Sequence, residues 1–187
     1  MNFLKEITES RIIRQLYQAE QFDLEDVMER VFEHLLALQV LAQVRPDEAK
    51  KYCQTIVNNT NFDQFRTTQK DLYNLLALVV NADRYKDTVN KNISINLPEF
   101  NIKRNLRAIA DGRIDLDDYN NMMMIIQRLY HRIGPRQANL RREISDWSNL
   151  SRQNRMSIID QLLMLMRERV MNSDLYYSIS QLSNYIR

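Results

Sequence analysis

Glycine and proline are scarce in this chain, and that scarcity limits the folds open to it more than any other feature. The 187 residues include two glycines and three prolines, whereas proteins average about 7 % glycine and about 5 % proline. Sheet-rich folds and nucleotide-binding folds need glycine for turns with positive φ and for close backbone approach to phosphate. The composition therefore predicts an all-α fold of helices joined by short polar turns, and it disfavours glycine-loop nucleotide sites.

Composition and charge fit one ordinary globular domain. Hydrophobic residues make up 44 % of the sequence, and the formal net charge of +2 is too small to imply a partner by itself. The single cysteine, Cys53, cannot form an intramolecular disulfide, which favours a reducing compartment, and its apolar neighbours predict a buried, inert thiol. The longest apolar run, at 75–80, is much shorter than the ~18 residues of a membrane span. We expect a protein that is neither secreted nor membrane-bound.

The first strong helical pattern begins at Leu24. Met28, Val31, Leu35 and Leu38 recur at spacings of three and four, which predicts an amphipathic helix of about twenty residues. Asp23, just before this pattern, is the predicted N-cap. Acidic residues fill the other side, and we interpret them as a solvated face open to a basic protein surface: Glu25, Asp26, Glu29 and Glu33.

Later patterns extend the helical prediction to the end of the chain. Pro46 is expected to open the second helix, which ends near the Asn-rich turn at 58–61. Further helices are predicted to begin near Leu72, Pro98, Asp115, Arg136, Ser151 and Ser173. Three segments are apolar on nearly every side and are expected at the centre: 72–80, 122–133 and 158–166. The prediction is a single globular bundle of about seven helices.

No arrangement of residues in the sequence points to catalysis or to a metal. The residues three positions before His34 and His131 are Val31 and Arg128, so the Glu-x-x-His pattern of di-metal helical bundles is missing. Neither glycine frames a serine elbow or belongs to a phosphate loop. The sequence therefore predicts a non-enzymatic protein with no catalytic residue, no metal and no cofactor.

Positive charge is concentrated late in the chain. Between positions 128 and 155 there are seven arginines but only two acidic residues, Glu143 and Asp146. Guanidinium groups bind phosphate or carboxylate in a bidentate manner. The arginines are therefore candidate contacts for nucleic acid or for a protein partner: Arg128, Arg132, Arg136, Arg141, Arg142, Arg152 and Arg155. The alternative is that they pair with the acidic N-terminal half, within the molecule or between subunits.

A short segment precedes the first long helix, and we divide the chain into a leader at 1–14 and an all-α domain at 15–187. The leader contains Leu4-Lys5-Glu6 followed directly by Ile7-Thr8-Glu9. This segment resembles the N-terminal leader of proteins of large T-even-type tailed phages. The resemblance implies a leader that directs a protein into the phage prohead, with cleavage by a prohead protease after Glu6 or Glu9.

The sequence leaves three functions open. The preferred one is a non-enzymatic, phage-type structural or internal virion protein, acting through contacts with a protein partner or with itself. Its expected location is the virion or the cytoplasm of an infected bacterium. The second is a nucleic-acid-binding accessory protein that uses the arginines between Arg128 and Arg155. The third is a host-interaction or inhibitor protein that uses the acidic helix face from Glu25 to Glu33.

Overall fold

The computed structural model describes residues 24–59, 99–169 and 173–186, and these residues are almost entirely helical. They form seven α-helices, and none of the described residues lies in a strand. The all-α prediction is therefore confirmed for this part of the chain, whereas the leader and the predicted central segment at 72–80 lie outside it. In chain order the helices are α1 Leu24–Val44, α2 Pro46–Asn59, α3 Glu99–Ala110, α4 Leu116–Leu129, α5 Pro135–Ser145, α6 Arg152–Arg169 and α7 Ser173–Ser180. Short 3-10 helices cover Trp147–Asn149 and Leu182–Tyr185.

Helix α1 is the centre of the bundle. It contacts α2, α4, α5, α6 and α7, and every residue from 28 to 42 except Arg30 is buried. Helix α3 packs against α2 and α4. Because α1 loses water from its whole circumference, its burial makes the largest apolar contribution of any single helix that the structure describes.

The helix ends follow the signals in the sequence. Pro46 occupies the first position of α2, where its missing N–H is not needed for a helical hydrogen bond. Helix α3 ends at Ala110, and Gly112 follows with a φ of +72°, a left-handed conformation that favours glycine at helix ends. Pro135 opens α5 directly after Gly134, as the sequence predicted.

Asp115 caps α4, as predicted. Its Oδ1 accepts hydrogen bonds from the backbone N–H groups of Asp117 (3.0 Å) and Asp118 (3.2 Å). We expect Asp115→Ala to lower the free energy of unfolding by about 1 kcal/mol, measured by urea titration. Asp115→Asn is the matched control, because its amide oxygen accepts the same bonds and most of the stability should remain. Equal losses in the two variants would mean that the carboxylate charge, rather than the hydrogen bonds, stabilises this helix end.

Helix α4 is buried on one side only. Tyr119, Met122, Met123 and Ile126 lie in the core, but Ile125 is 39 % exposed and Leu129 is 51 % exposed. The prediction that 122–133 is buried on nearly every side was therefore wrong for these two residues, because α1 and its neighbours cover one face of the helix. Met164 is similarly exposed in the 158–166 segment, whose other apolar residues are buried or partly buried.

None of the described helices is both long enough and apolar enough to cross a lipid bilayer.

Candidate interaction surface

The acidic residues of α1 described by the structure are not on the surface. Glu29 and Glu33 are 6 % and 1 % exposed, so the predicted solvated acidic face was wrong for both, and the side chain of Glu25 lies outside the described residues. Gln137 Nε2 donates a hydrogen bond to Glu29 Oε2 (3.0 Å), and Arg132 Nε lies 3.6 Å from Glu29 Oε1. A carboxylate tolerates burial when such partners compensate for lost hydration. The host-interaction function loses its surface at these two positions.

The same contacts fasten the turn between α4 and α5 to the centre of the bundle. Besides donating to Glu29, Gln137 accepts a hydrogen bond at Oε1 from the backbone N–H of Gly134 (3.1 Å). One buried side chain thus joins the turn to α1. The residues on either side of the turn are held on a fixed support, which suits a surface that recognises a partner.

Three of the seven candidate arginines contact residues outside their own helix or turn: Arg132, Arg141 and Arg155. Arg132 pairs with Glu29 as described, and Arg141 Nε donates to Gln127 Oε1 at 2.8 Å. Burial, with a smaller effect of the neighbouring Arg142 charge, lowers the pKa of Arg141. Internal pairing with α1, one of the two interpretations from the sequence, is therefore correct for Arg132.

Arg155 has a structural position beside the buried Trp147. Its Nε donates to the backbone oxygen of Trp147 (3.1 Å), and its terminal nitrogen donates to that of Ser148 (3.2 Å). The guanidinium carbon also lies 5.4 Å from the centre of the Trp147 ring, within the range of a cation–π interaction. Arg155 therefore holds the 3-10 helix against the start of α6.

The other four arginines are exposed: Arg128, Arg136, Arg142 and Arg152. Arg142 donates to the neighbouring Asn139 side chain, and none of the four forms an ion pair with a residue that the structure describes. The first turns of α5 and α6, which carry Arg136 and Arg152, contain no acidic residue. Because helix N-termini are themselves partly positive, these turns add to the local positive charge of Arg136 and Arg152.

Two apolar side chains are exposed next to Arg128 on α4. Ile125 and Leu129 are one helical turn apart on α4, and Arg128 lies between them in sequence and is also exposed. We call Ile125, Arg128 and Leu129 the α4 surface. Sequence reasoning named Arg128 but missed its two apolar neighbours, and their four-residue spacing was the available signal.

The buried histidine and cysteine do not form a site open to a ligand. His34 is fully buried, and its Nε2 lies 2.9 Å from the Tyr52 hydroxyl. Burial lowers the pKa of His34 from 6.5 to about 3, so the ring is neutral near pH 7. Burial also raises the pKa of the Cys53 thiol, which agrees with the predicted inert cysteine. No group of three potential metal-ligating side chains is found among the described residues.

Glu6 and Glu9, the candidate cleavage positions of the leader, lie outside the described residues. Comparison of the chain with known protein families, with curated proteins and with solved structures gives no match.

Proposed function

We propose that this protein acts without catalysis, through protein–protein contacts made by the α4 surface. The observation that carries the proposal is the exposure of Ile125 and Leu129 on either side of the exposed Arg128, which forms no ion pair with a described residue. The centres of protein interfaces combine apolar side chains with arginine, and arginine is frequent among the residues that contribute most to binding. The support for this surface is rigid because Gln137 and Glu29 hold the turn that follows it.

The proposed setting is the particle of a tailed phage. This part of the proposal rests on the Leu4-Lys5-Glu6 and Ile7-Thr8-Glu9 triplets alone. If it is right, the protein purifies with phage heads, and mass spectrometry finds an N-terminus at Ile7 or Ser10. A protein absent from purified particles, with an uncut N-terminus, would contradict the virion assignment without contradicting the contact function.

Site-specific crosslinking tests the contact function. A photoreactive amino acid at Leu129, which is 51 % exposed, should form crosslinks to protein in the cells that produce the chain. The matched control is the same amino acid at Tyr177, which is 67 % exposed on α7. We expect crosslinks from position 129 that position 177 does not give, and their reduction by Arg128→Asp. No protein crosslink from position 129 would overturn the proposal.

Nucleic-acid binding is a second candidate, favoured by the exposed side chains of Arg136, Arg142 and Arg152, none of which forms an ion pair with a residue in the described ranges. Binding of labelled duplex and single-stranded DNA across a salt series tests it. Several phosphate contacts predict a log–log slope of about −3 or steeper, flattened by replacing the three arginines with glutamine. No binding at low salt would exclude this function.

A further inference from the structure

We propose that two copies of this chain associate through antiparallel contact of their α4 helices about a two-fold axis. The inference rests on the proposed contact function, because the α4 surface is part of the proposed interface. The proposed function names only a contact surface, whereas this inference names the partner, a second copy of the same chain, and the orientation of the two helices. The order of charged and apolar side chains along the exposed side of α4 favours this pairing.

That side of the helix carries a continuous stripe. Asp117, Asn121, Ile125 and Arg128 follow one another at spacings of four, four and three residues, and all four are exposed. Residues at these spacings lie on one face of a helix. The opposite face, which includes Tyr119 and Met122, is buried in the core. The stripe is therefore the surface that α4 presents outward.

The charges at the two ends of the stripe are opposite. Asp117 is in the first turn of α4 and Arg128 is in its last turn, and neither forms an ion pair among the described residues. The adjacent Asp118 is already occupied, because Arg104 approaches it to 2.7 Å. No described residue of the chain therefore competes with another molecule for Asp117 and Arg128.

Antiparallel pairing matches this stripe with itself. With Asp117 of one copy beside Arg128 of the other, the two-fold axis generates the same ion pair a second time. The same register places Ile125 of one copy within one residue position of Asn121 of the other, near the two-fold axis. Parallel pairing would instead bring like charges together. The stripe is self-complementary in one orientation only, and this favours a second copy over an unrelated partner.

The size of the contact sets its expected strength. A helix of 14 residues is about 21 Å long, so one helix pair buries much less surface than a standard stable interface. We therefore expect a weak dimer, with a dissociation constant on the order of 1–100 μM.

Charge reversal tests both the surface and the register. Sedimentation velocity at protein concentrations from about 1 to about 300 μM, a range that brackets the expected dissociation constant, should reveal a concentration-dependent dimer in the unmodified chain. Asp117→Arg or Arg128→Asp alone replaces two attractive pairs with two repulsive ones and should weaken association by tenfold or more, a factor that corresponds to about 1.4 kcal/mol. The double variant restores opposite charges and should restore the dimer. Asp160→Arg, at an exposed position of α6, is the control for surface charge and should leave association unchanged.

Each failure has a distinct meaning. An unmodified chain that stays monomeric throughout the range overturns the inference, and so does a dimer that the single reversals leave intact. Loss of association in both single variants without recovery in the double variant overturns the antiparallel register, provided that urea unfolding finds all three variants folded. If the chain is monomeric while position 129 still crosslinks to another protein, the contact function stands and self-association fails.

Discussion

Replacing Phe32 with alanine is expected to lower the free energy of unfolding by about 3–5 kcal/mol, the range for removing a buried aromatic side chain. Phe32 is fully buried in the middle of α1, the helix that contacts five others. The loss combines the transfer free energy of the ring with the cavity that it leaves behind. Because small domains are stable by only about 5–15 kcal/mol, this one change removes a large part of the total.

Urea unfolding followed by circular dichroism measures the effect. Tyr177→Ala is the control, because it also deletes an aromatic ring but from a position that is 67 % exposed. We expect the control to change the free energy of unfolding by less than about 0.5 kcal/mol, as is usual for surface positions. A similar small loss for Phe32→Ala would contradict the central position of α1.

Acidification is expected to destabilise the protein through His34. Burial lowers the pKa of this ring from 6.5 to about 3 in the folded state, so between these values the unfolded chain binds a proton that the folded chain does not. Stability is therefore fully present above about pH 6.5 and falls as the pH falls. From about pH 7 to about pH 4, this single group should lower the free energy of unfolding by about 3 kcal/mol.

The comparison of two histidine variants isolates this effect from the titration of carboxylates. Urea unfolding across the pH range should give a shallower pH dependence for His34→Gln than for the unmodified chain. His131 is exposed, so His131→Gln is the control and should keep the full pH dependence. If His34→Gln instead leaves the slope of the free energy of unfolding against pH unchanged while His131→Gln changes it, His34 is accessible to water in the folded state.

Local signals in the sequence were enough to predict the helices and most of their ends. The proline at the start of α2, the glycine after α3 and the aspartate before α4 each act through their own backbone or their nearest neighbours. Pro46, Gly112 and Asp115 accordingly have the predicted positions. The chemistry that decides such features lies within a few residues, and a single sequence contains it.

The surroundings of α1 could not be predicted in the same way. Glu29 was assigned to the solvent side, yet it is buried, and so are the polar His34 and Gln39, each beside a side chain remote in sequence. These partners are respectively Gln137, Tyr52 and Asn120. A helical pattern describes one helix, whereas burial on a second side depends on which other helices pack there. The acidic face was misassigned for this reason.

The exposed side of α4 presented the opposite difficulty. The run from Met122 to Ile126 is apolar at every position, so the sequence does not distinguish the side that packs from the side that faces water. Ile125 was expected in the core and is on the surface. Its exposure becomes meaningful only together with Asp117 and Arg128, whose common face the helix geometry reveals.

The enclosure of α1 has a consequence for synthesis of the protein. This helix leaves the ribosome well before α4, α5, α6 and α7, the later helices that cover it. Until they are made, the nascent chain carries a helix with apolar side chains around its circumference, the type of exposed segment that binds chaperones and aggregates. A product terminated before α6 would permanently lack the cover that α6 and α7 provide, so we expect truncated chains to be degraded or to form aggregates rather than smaller native bundles.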